Sequence, residues 1–465
     1  MHRIAGVVVA VVLLSTNSGI NLVGGRIGSG TSRTDDEYRE ADRSTPLDVG
    51  ALLTAARGAP PVICALASQS LRNYGWGEWN DAPSTPLGSV LPNRDYNSRP
   101  EELPNADVQL LLLGLAAEDP CVRELSVRLL GQEKSDAVVT GLTARLAGAT
   151  PSLREVAALG LGLVRSSSAV DALIRTLHDA TPGVRANSAW ALGRIKDGRA
   201  LAPVSELFRD DNEKVREASV LTAGRIDSVS SVASLIRVVR QDQAPSVRRA
   251  AAWALGQLDS RDAVDALTGV LTQDNDAQVR EMAAWALGEL NGRSAAAGLA
   301  SAARRDADDR VRETATWALA EVGDRSSVDV LGQIAESDKS SRVRGTAAWA
   351  IGQLRGDGKA PAGLLRALKD ESEDTRLKAG WALGQIGDSS ALPAIRDAMK
   401  QEKSTQVQRA LIRALMRSGE HSEAALTSLL DSGDPRVREA AVRGLAGNNS
   451  FNPWPWPWPR PRPIP

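Results

Sequence analysis

The sequence predicts an all-α fold, a solenoid of about eleven helix pairs stacked into a right-handed superhelix. Three observations carry that prediction. One Arg returns at a nearly fixed interval along most of the chain. Each interval holds two amphipathic helical patterns. The apolar complement is aliphatic, because 42% of the 465 residues are hydrophobic but only 3% are aromatic. Compact single-core domains fill their interiors with Phe and Tyr as well as aliphatics. Here Ala, Leu, Val and Ile must do so, which suits closely packed small helices. Of the aromatics 11 are Trp, against 3 Tyr and 2 Phe, so Trp serves a separate purpose.

The repeating residue stands at Arg123, Arg154, Arg185, Arg216, Arg248, Arg280, Arg312, Arg344, Arg376 and Arg438, with Gln408 in the remaining slot. Successive intervals are 31 residues three times, 32 six times and 30 once. Self-similarity at such a period takes precedence over any local motif. The first helix of a repeat is typified by residues 169–179, with Val170, Leu173, Ile174 and Leu177 on one face. A short turn such as Thr181-Pro182-Gly183 follows. The second helix opens on Val-Arg, as in residues 184–195 and 247–258. Val247, Ala251, Ala254, Leu255 and Leu258 share one helical face and belong to the core. Gly stands eight residues after the Arg in eight repeats, for example Gly193, Gly256, Gly288, Gly352 and Gly384. It permits close approach between neighbouring helices near the helix end.

These residues resemble the HEAT-like repeat, in the short form first associated with phycobilisome lyases. The resemblance covers about 340 residues, 106–447. It implies an armadillo-type scaffold, since such arrays mostly bind partners and seldom define a chemistry. It also implies an Asp–Arg ladder between successive turns. Asp stands six residues before the Arg at Asp179, Asp210, Asp242, Asp274, Asp306, Asp338 and Asp370, beside Arg185, Arg216, Arg248, Arg280, Arg312, Arg344 and Arg376. An acid near a helix N-terminus also satisfies free backbone N–H groups and the helix dipole.

Six Trp fall five residues after the slot-defining position: Trp190, Trp253, Trp285, Trp317, Trp349 and Trp381. At 100° per residue this slot lies roughly 145° from the centre of the two-helix core, so the Trp are expected to point away from it. The resemblance places the second helices on the concave surface, which makes the Trp ladder the lining of a groove. Arg194, Gln257, Glu289, Glu321, Gln353 and Gln385, four residues further on, supply polar and mildly acidic neighbours. Trp dominates binding hot spots, and the groove is the candidate site for an extended polypeptide. The competing reading has each indole cover the Ala methyls of its neighbour and shield the stack.

The remaining segments frame the array of residues 106–447. Residues 1–18 have the charged, apolar and small-polar order of a secretory signal peptide. The apolar run from Ile4 to Leu14 is too short for a membrane span, which needs roughly 20 residues, and no other stretch is long and apolar enough. Residues 19–50 read as a flexible lead-in, 51–80 as a helical cap and 81–105 as a Pro-rich linker. Residues 448–465 form a disordered tail rich in Trp and Pro. Within it, the alternating Pro of residues 453–463 favour polyproline II, a ligand for aromatic grooves. Docking of this tail into the Trp groove, in its own molecule or another, is one expectation; a terminus of biased composition is the other. Cys64 and Cys121 are either a bridge in an oxidising compartment, tying the cap to the first repeat, or two small buried hydrophobes.

The 56 basic and 57 acidic residues leave a net charge of −1, which argues against a nucleic-acid binder working through a long-range basic field. The chain has 3 His and no HExxH, phosphate loop or nucleophile elbow, so no catalytic residue, metal site or cofactor is assigned. The expected function is an exported, periplasmic or extracellular bacterial scaffold that binds a protein or peptide without catalysis. The alternative is a chromophore lyase-like or chaperone-like factor handling a client protein.

Overall fold

Every repeat in the computed structural model starts from the same local rules. In most repeats a three-residue 3-10 turn such as Arg261–Ala263 leads into the first helix, and a short turn separates it from the second. Second helices start where their first-turn N–H groups find an acceptor. Asp276 accepts from Gln278 and Val279, and Asp308 accepts from Arg310 and Val311. In other repeats Pro takes the first helical position, as at Pro151, Pro182 and Pro245, where no N–H is needed. Several second helices stop on a residue in the left-handed region, Lys196 at φ 63° and Gly387 at φ 72° among them.

The structure describes residues 48–61, 64, 103–226, 229–419, 427, 430 and 433–445. The signal-peptide, lead-in and tail expectations, and most of the linker, lie outside these residues. So does the cap sequence beyond residue 64. Among the described residues there is no strand. The chain divides into two compact units, residues 1–226 and 227–465.

In the first unit, α1 (Val49–Ala56) precedes four helix pairs: α2 (Asn105–Gly114) with α3 (Pro120–Leu130), α4 (Asp136–Arg145) with α5 (Pro151–Val164), α6 (Val170–Thr176) with α7 (Pro182–Ile195), and α8 (Leu201–Glu206) with α9 (Glu213–Ile226). α1 packs on α2 and α3 through Val49, Leu52, Leu53 and Ala56, all buried. Two further ties hold this cap. The Gly58 N–H donates to Asp119 Oδ2 at 2.7 Å, and Cys64 is disulfide-bonded to Cys121 with their Cα atoms 5.6 Å apart.

In the second unit the pairs are α10 (Val232–Gln241) with α11 (Pro245–Gln257), α12 (Val264–Gln273) with α13 (Ala277–Glu289), α14 (Ala296–Arg305) with α15 (Asp309–Glu321), α16 (Val328–Ser337) with α17 (Ser341–Leu354), α18 (Ala362–Ala367) with α19 (Glu373–Ile386), and α20 (Leu392–Gln401) with α21 (Thr405–Arg417). The last described second helix is α22 (Pro435–Leu445). Within each unit first helices pack on first helices and second helices on second helices. The core between the two rows is made of Ala, Leu, Val and Ile.

The repeating Arg joins one repeat to the next. Arg185 donates from Nε and NH2 to the Asp210 carboxylate at 2.7 and 2.8 Å, and from NH1 to the Asp179 carbonyl of its own turn at 2.8 Å. The same bidentate bond joins Arg154 to Asp179, Arg248 to Asp274, Arg280 to Asp306, Arg312 to Asp338 and Arg344 to Asp370. Asp therefore serves its own Arg through its carbonyl and the preceding repeat's Arg through its carboxylate. Its Oδ1 also accepts the N–H two residues on, as Asp274 does from Asp276 at 2.9 Å. Arg216 makes the turn bond to the Asp210 carbonyl, and the Asp242 carbonyl takes the one from Arg248. The ladder goes one rung beyond the expected acids: Arg376 pairs with Glu402 at 2.7 Å, and Gln408 donates to the Glu402 carbonyl in place of an Arg.

Hydrogen bonds from Arg154 hold the Asp179 carboxyl below the usual carboxylate range, against the opposing effect of burial. At Asp210, Asp274 and Asp306 burial is the largest single influence and pushes upward. The Arg bond, the capped N–H and the nearby charges together outweigh it, so these carboxyls also lie low. A carboxyl depressed by folding adds stability above its unfolded pKa and withdraws it as pH falls through the folded value. Melting followed by circular dichroism is therefore expected to show a steep loss of stability below the ordinary carboxylate range. Asp306→Asn should lower the melting temperature at neutral pH and blunt that acid dependence. An unchanged acid profile in this variant would contradict the role given to the ladder.

Candidate binding face

Each second helix carries one stripe on the side away from its own pair's core, at positions −3, +1, +5 and +9 from the repeating Arg. In the second unit the stripe recurs on α11, α13, α15, α17 and α19, so five parallel helices present equivalent residues side by side. Trp253, Trp285, Trp317, Trp349 and Trp381 hold its centre.

The rings do not stand outward as the helical-wheel expectation had them. Trp349 is 1% exposed, Trp285 and Trp317 are 8% exposed, and Trp190 in the first unit is 1% exposed. Only Trp253 and Trp381 are partly exposed. The wheel was referenced to the interface within one helix pair, whereas a stacked second helix is also flanked by second helices of adjacent repeats. The indoles of Trp190, Trp285, Trp317 and Trp381 lie against the preceding repeat's second helix, over the Gly eight residues past its Arg. A methyl group at Gly288 would come 2.7 Å from Trp317 Cζ3, and one at Gly256 would come 2.9 Å from Trp285 Cζ3. Gly162 with Trp190 and Gly352 with Trp381 repeat the arrangement at 2.5 Å. The Gly is thus the seat for the next repeat's Trp. Ala320 is the exception ahead of Trp349, and nothing in the structure explains it.

Gln257, Glu289, Glu321 and Gln353 are exposed, and Arg194 and Gln385 are half-buried. Arg194 lies over the Trp190 ring at 5.2 Å and donates to the Gly162 carbonyl at 3.1 Å. The sequence places the +1 position on the same outer face, without naming its residues or their partners. Glu313 there pairs with Arg342 of the next repeat at 2.7 Å, Arg249 donates to Gln278 at 2.8 Å, and Arg310 is the positive charge acting on Glu281. The signal was present: Glu281 and Glu313 are each followed one repeat later by Arg at −2. Burial pushes the carboxyls of Glu281 and Glu313 up, and that of Glu321 as well, where the Glu289 charge adds to the effect. Among the described residues no group of His, Cys, Asp and Glu is placed to hold a metal ion, and no helix is long and apolar enough to cross a membrane.

A stack of helix pairs in which each contacts its neighbours is an α-solenoid. The chain belongs to the HEAT-repeat family, whose model matches residues 139–224, 203–288, 232–320, 296–362 and 361–446. Among solved structures it is similar to importin beta, at 14% identity and a TM-score of 0.58, covering 89% of this chain and 67% of that one. Kap95p bound to RanGDP is similar at 14% identity and a TM-score of 0.53, with 74% of this chain covered. Kap95 in complex with Nup1 matches at 13% identity and a TM-score of 0.52. The chain spans 56% and 57% of those two karyopherin chains. No protein of curated function matches the sequence.

The Trp-on-Gly seat has a measurable energy. Gly288→Ala should destabilise the protein by about 1–3 kcal/mol through overpacking, and Trp317→Ala by about 3–5 kcal/mol through loss of a buried ring. Combined, the two should cost clearly less than their sum, because the Ala methyl enters the space the ring vacates. Urea unfolding of the four proteins in this cycle checks it; strict additivity would refute the seat.

Proposed function

We propose that the chain is an exported, non-enzymatic interaction scaffold whose open second-helix face, from α11 to α19, holds an extended polypeptide. The observation that carries this reading is the repetition of an exposed polar residue nine past the repeating Arg, Gln257, Glu289, Glu321 and Gln353, with the half-buried Gln385 on the fifth helix. Such a surface matches a ligand that offers similar groups at regular spacing. Because most of the indoles are packed between helices, recognition falls to the partly exposed Trp253 and Trp381 and to the polar positions, Gln257, Glu281, Glu289, Glu313, Glu321, Gln353 and Gln385. Export is supported by the apolar run behind Arg3 and by the Cys64–Cys121 bridge, since disulfides persist in oxidising compartments. Support for protein binding also comes from the fold, which is shared with Kap95 in its complex with Nup1.

Replacing the buried Trp would test packing, so the surface positions are the ones to probe. A photo-crosslinking residue at Gln257 or Gln353 should capture polypeptide in cells, whereas the same residue at Arg304, exposed on α14, should not. Glu289→Lys with Glu321→Lys should abolish the captured species while leaving the melting temperature within a few degrees of wild type. Equal capture from both faces would sink the proposal.

A further inference from the structure

Arginine is used in one consistent way along the second unit, and α21 departs from it. From Arg248 to Arg376 the ladder Arg are held by carboxylates. On the stripe itself Arg249 is bonded to Gln278, and Arg342 beside it to Glu313. On α21 the stripe becomes Arg409, Arg413 and Arg417, spaced four residues apart on one helix face, where like charges destabilise a helix. Arg413 holds the slot that Trp fills in six other repeats. It takes the same seat, since a methyl group at Gly384 would come 3.7 Å from Arg413 Cγ. The stem thus lies against α19, and the residue as a whole is half-buried.

No carboxylate answers this charge. Among the described residues, Arg413 is the one partly buried Arg that makes neither a hydrogen bond nor an ion pair. Burial, and after it the like charge of Arg417, lowers its pKa. α21 has no acid, and those of α19, Glu373 and Asp374, stand in its first turn, bound to Ser404 and Lys378. Glu439 on α22 is one past its repeating Arg, level with Arg409 and not with Arg413. The helix dipole favours a cation in the last turn, where Arg417 stands, but fades before Arg413. Packing does not require Arg there either, because Trp fills the equivalent slot in the five preceding repeats. Beside it stand the partly exposed Trp381 and the half-buried Gln385, to which Arg355 donates at 3.5 Å.

We propose that Arg413 and Arg417, with Trp381 beside them, form a binding site for an acidic polypeptide segment whose carboxylates take the two guanidinium groups. This rests on the scaffold reading above and names the chemistry of the partner at one end of that face. A guanidinium and a carboxylate match through two parallel hydrogen bonds, and such charge-assisted bonds are the strong ones. A nucleic acid fits the face poorly. Its phosphates continue at every step, whereas at +5 and +9 the stripe is uncharged on α19 and α17 and turns acidic at Glu321 on α15. A polypeptide can set its acids at α21 alone and cross the other layers with neutral or basic residues.

The test is fluorescence anisotropy of the full chain with a dye-labelled peptide of six Glu, and with six Gln as its neutral counterpart. The Glu peptide should bind, the Gln peptide at least tenfold more weakly, and the gap should shrink as salt is raised. Arg413→Trp with Arg417→Gln gives α21 the residue types of α19. It should weaken the Glu peptide at least tenfold while the melting temperature, followed by circular dichroism, holds or rises. Arg417→Glu alone, at an exposed position, should weaken it as well. Arg304→Gln with Arg305→Gln, an exposed pair on α14, should leave binding unchanged. A Glu peptide that fails to bind, or that ignores the α21 variants, would overturn the proposal. So would a melting temperature that collapses in Arg413→Trp, since Arg413 would then serve the stack. A labelled oligothymidylate that binds more tightly than the Glu peptide, through the same two Arg, would overturn it in favour of nucleic acid. Crosslinking at Gln257 and Gln353 separates this from the scaffold reading: if captured polypeptide persists while the Glu peptide fails to bind, only the acidic-partner proposal falls.

Discussion

One guanidinium per repeat holds the stack together. Arg is suited to it because its planar fork offers five donors in a fixed geometry that a Lys ammonium lacks. In Arg312 two of them grip the Asp338 carboxylate, and a third reaches the Asp306 carbonyl of its own turn at 3.0 Å. The pair is nearly buried, with the Arg312 side chain 3% exposed and that of Asp338 8%. Removing one partner would leave a buried charge uncompensated, so the bond is costly to break even where its net gain over an apolar pair is small. Because each Asp answers to two Arg, its own and the preceding repeat's, the turn of one repeat is fixed together with the repeat before it. At Gln408 the fork is gone and only the carbonyl bond to Glu402 remains, at 2.7 Å.

The ladder also explains why the Trp had to turn inward. Once adjacent turns are tied, neighbouring second helices run side by side at close distance, and any position facing along the stack is interior. The slot five residues past the Arg faces that way. Gly in the preceding repeat lets the backbones approach, and the indole fills the width left over. Trp buries a large area with few rotatable bonds, which suits a joint between two rigid elements. In six repeats the place between adjacent second helices is given to Trp, and elsewhere to residues such as Leu159 and Leu221.

The period, the helix pairs and the Asp and Arg positions were all legible in the sequence, because each is a local pattern repeated many times. The orientation of the Trp was not. A helical wheel locates a residue relative to one interface, and the wheel of residues 247–258 was centred on Ala251, Ala254 and Leu255, the contact within the pair. The second interface had left its own mark, Gly288 and Trp317 in successive repeats, but that pairing joins residues 29 apart and has no meaning until the helices are set in parallel. The pairing of the +1 acids escapes a sequence reading for the same reason. Glu313 and Arg342 are also 29 apart, and each alone reads as an ordinary solvated charge. Glu402 stands outside the Asp pattern, although one more methylene still reaches Arg376.

With the rings committed to cohesion, the exposed surface that repeats is largely one of amides and carboxylates. Such a surface selects by charge and spacing more than by apolar area, and charge complementarity acts mainly on specificity and association rate. The face from α13 to α21 is not uniform: Glu281 and Glu313 share their layers with Arg310 and Arg342, whereas α21 offers Arg409, Arg413 and Arg417 on one stripe. A ligand lying along these helices therefore meets a change of sign and can bind well in only one direction. A chain without direction, such as a uniformly basic peptide, would gain at α15 what it loses at α21. The same array that repeats its core so closely thus becomes directional only through the residues that the core does not need.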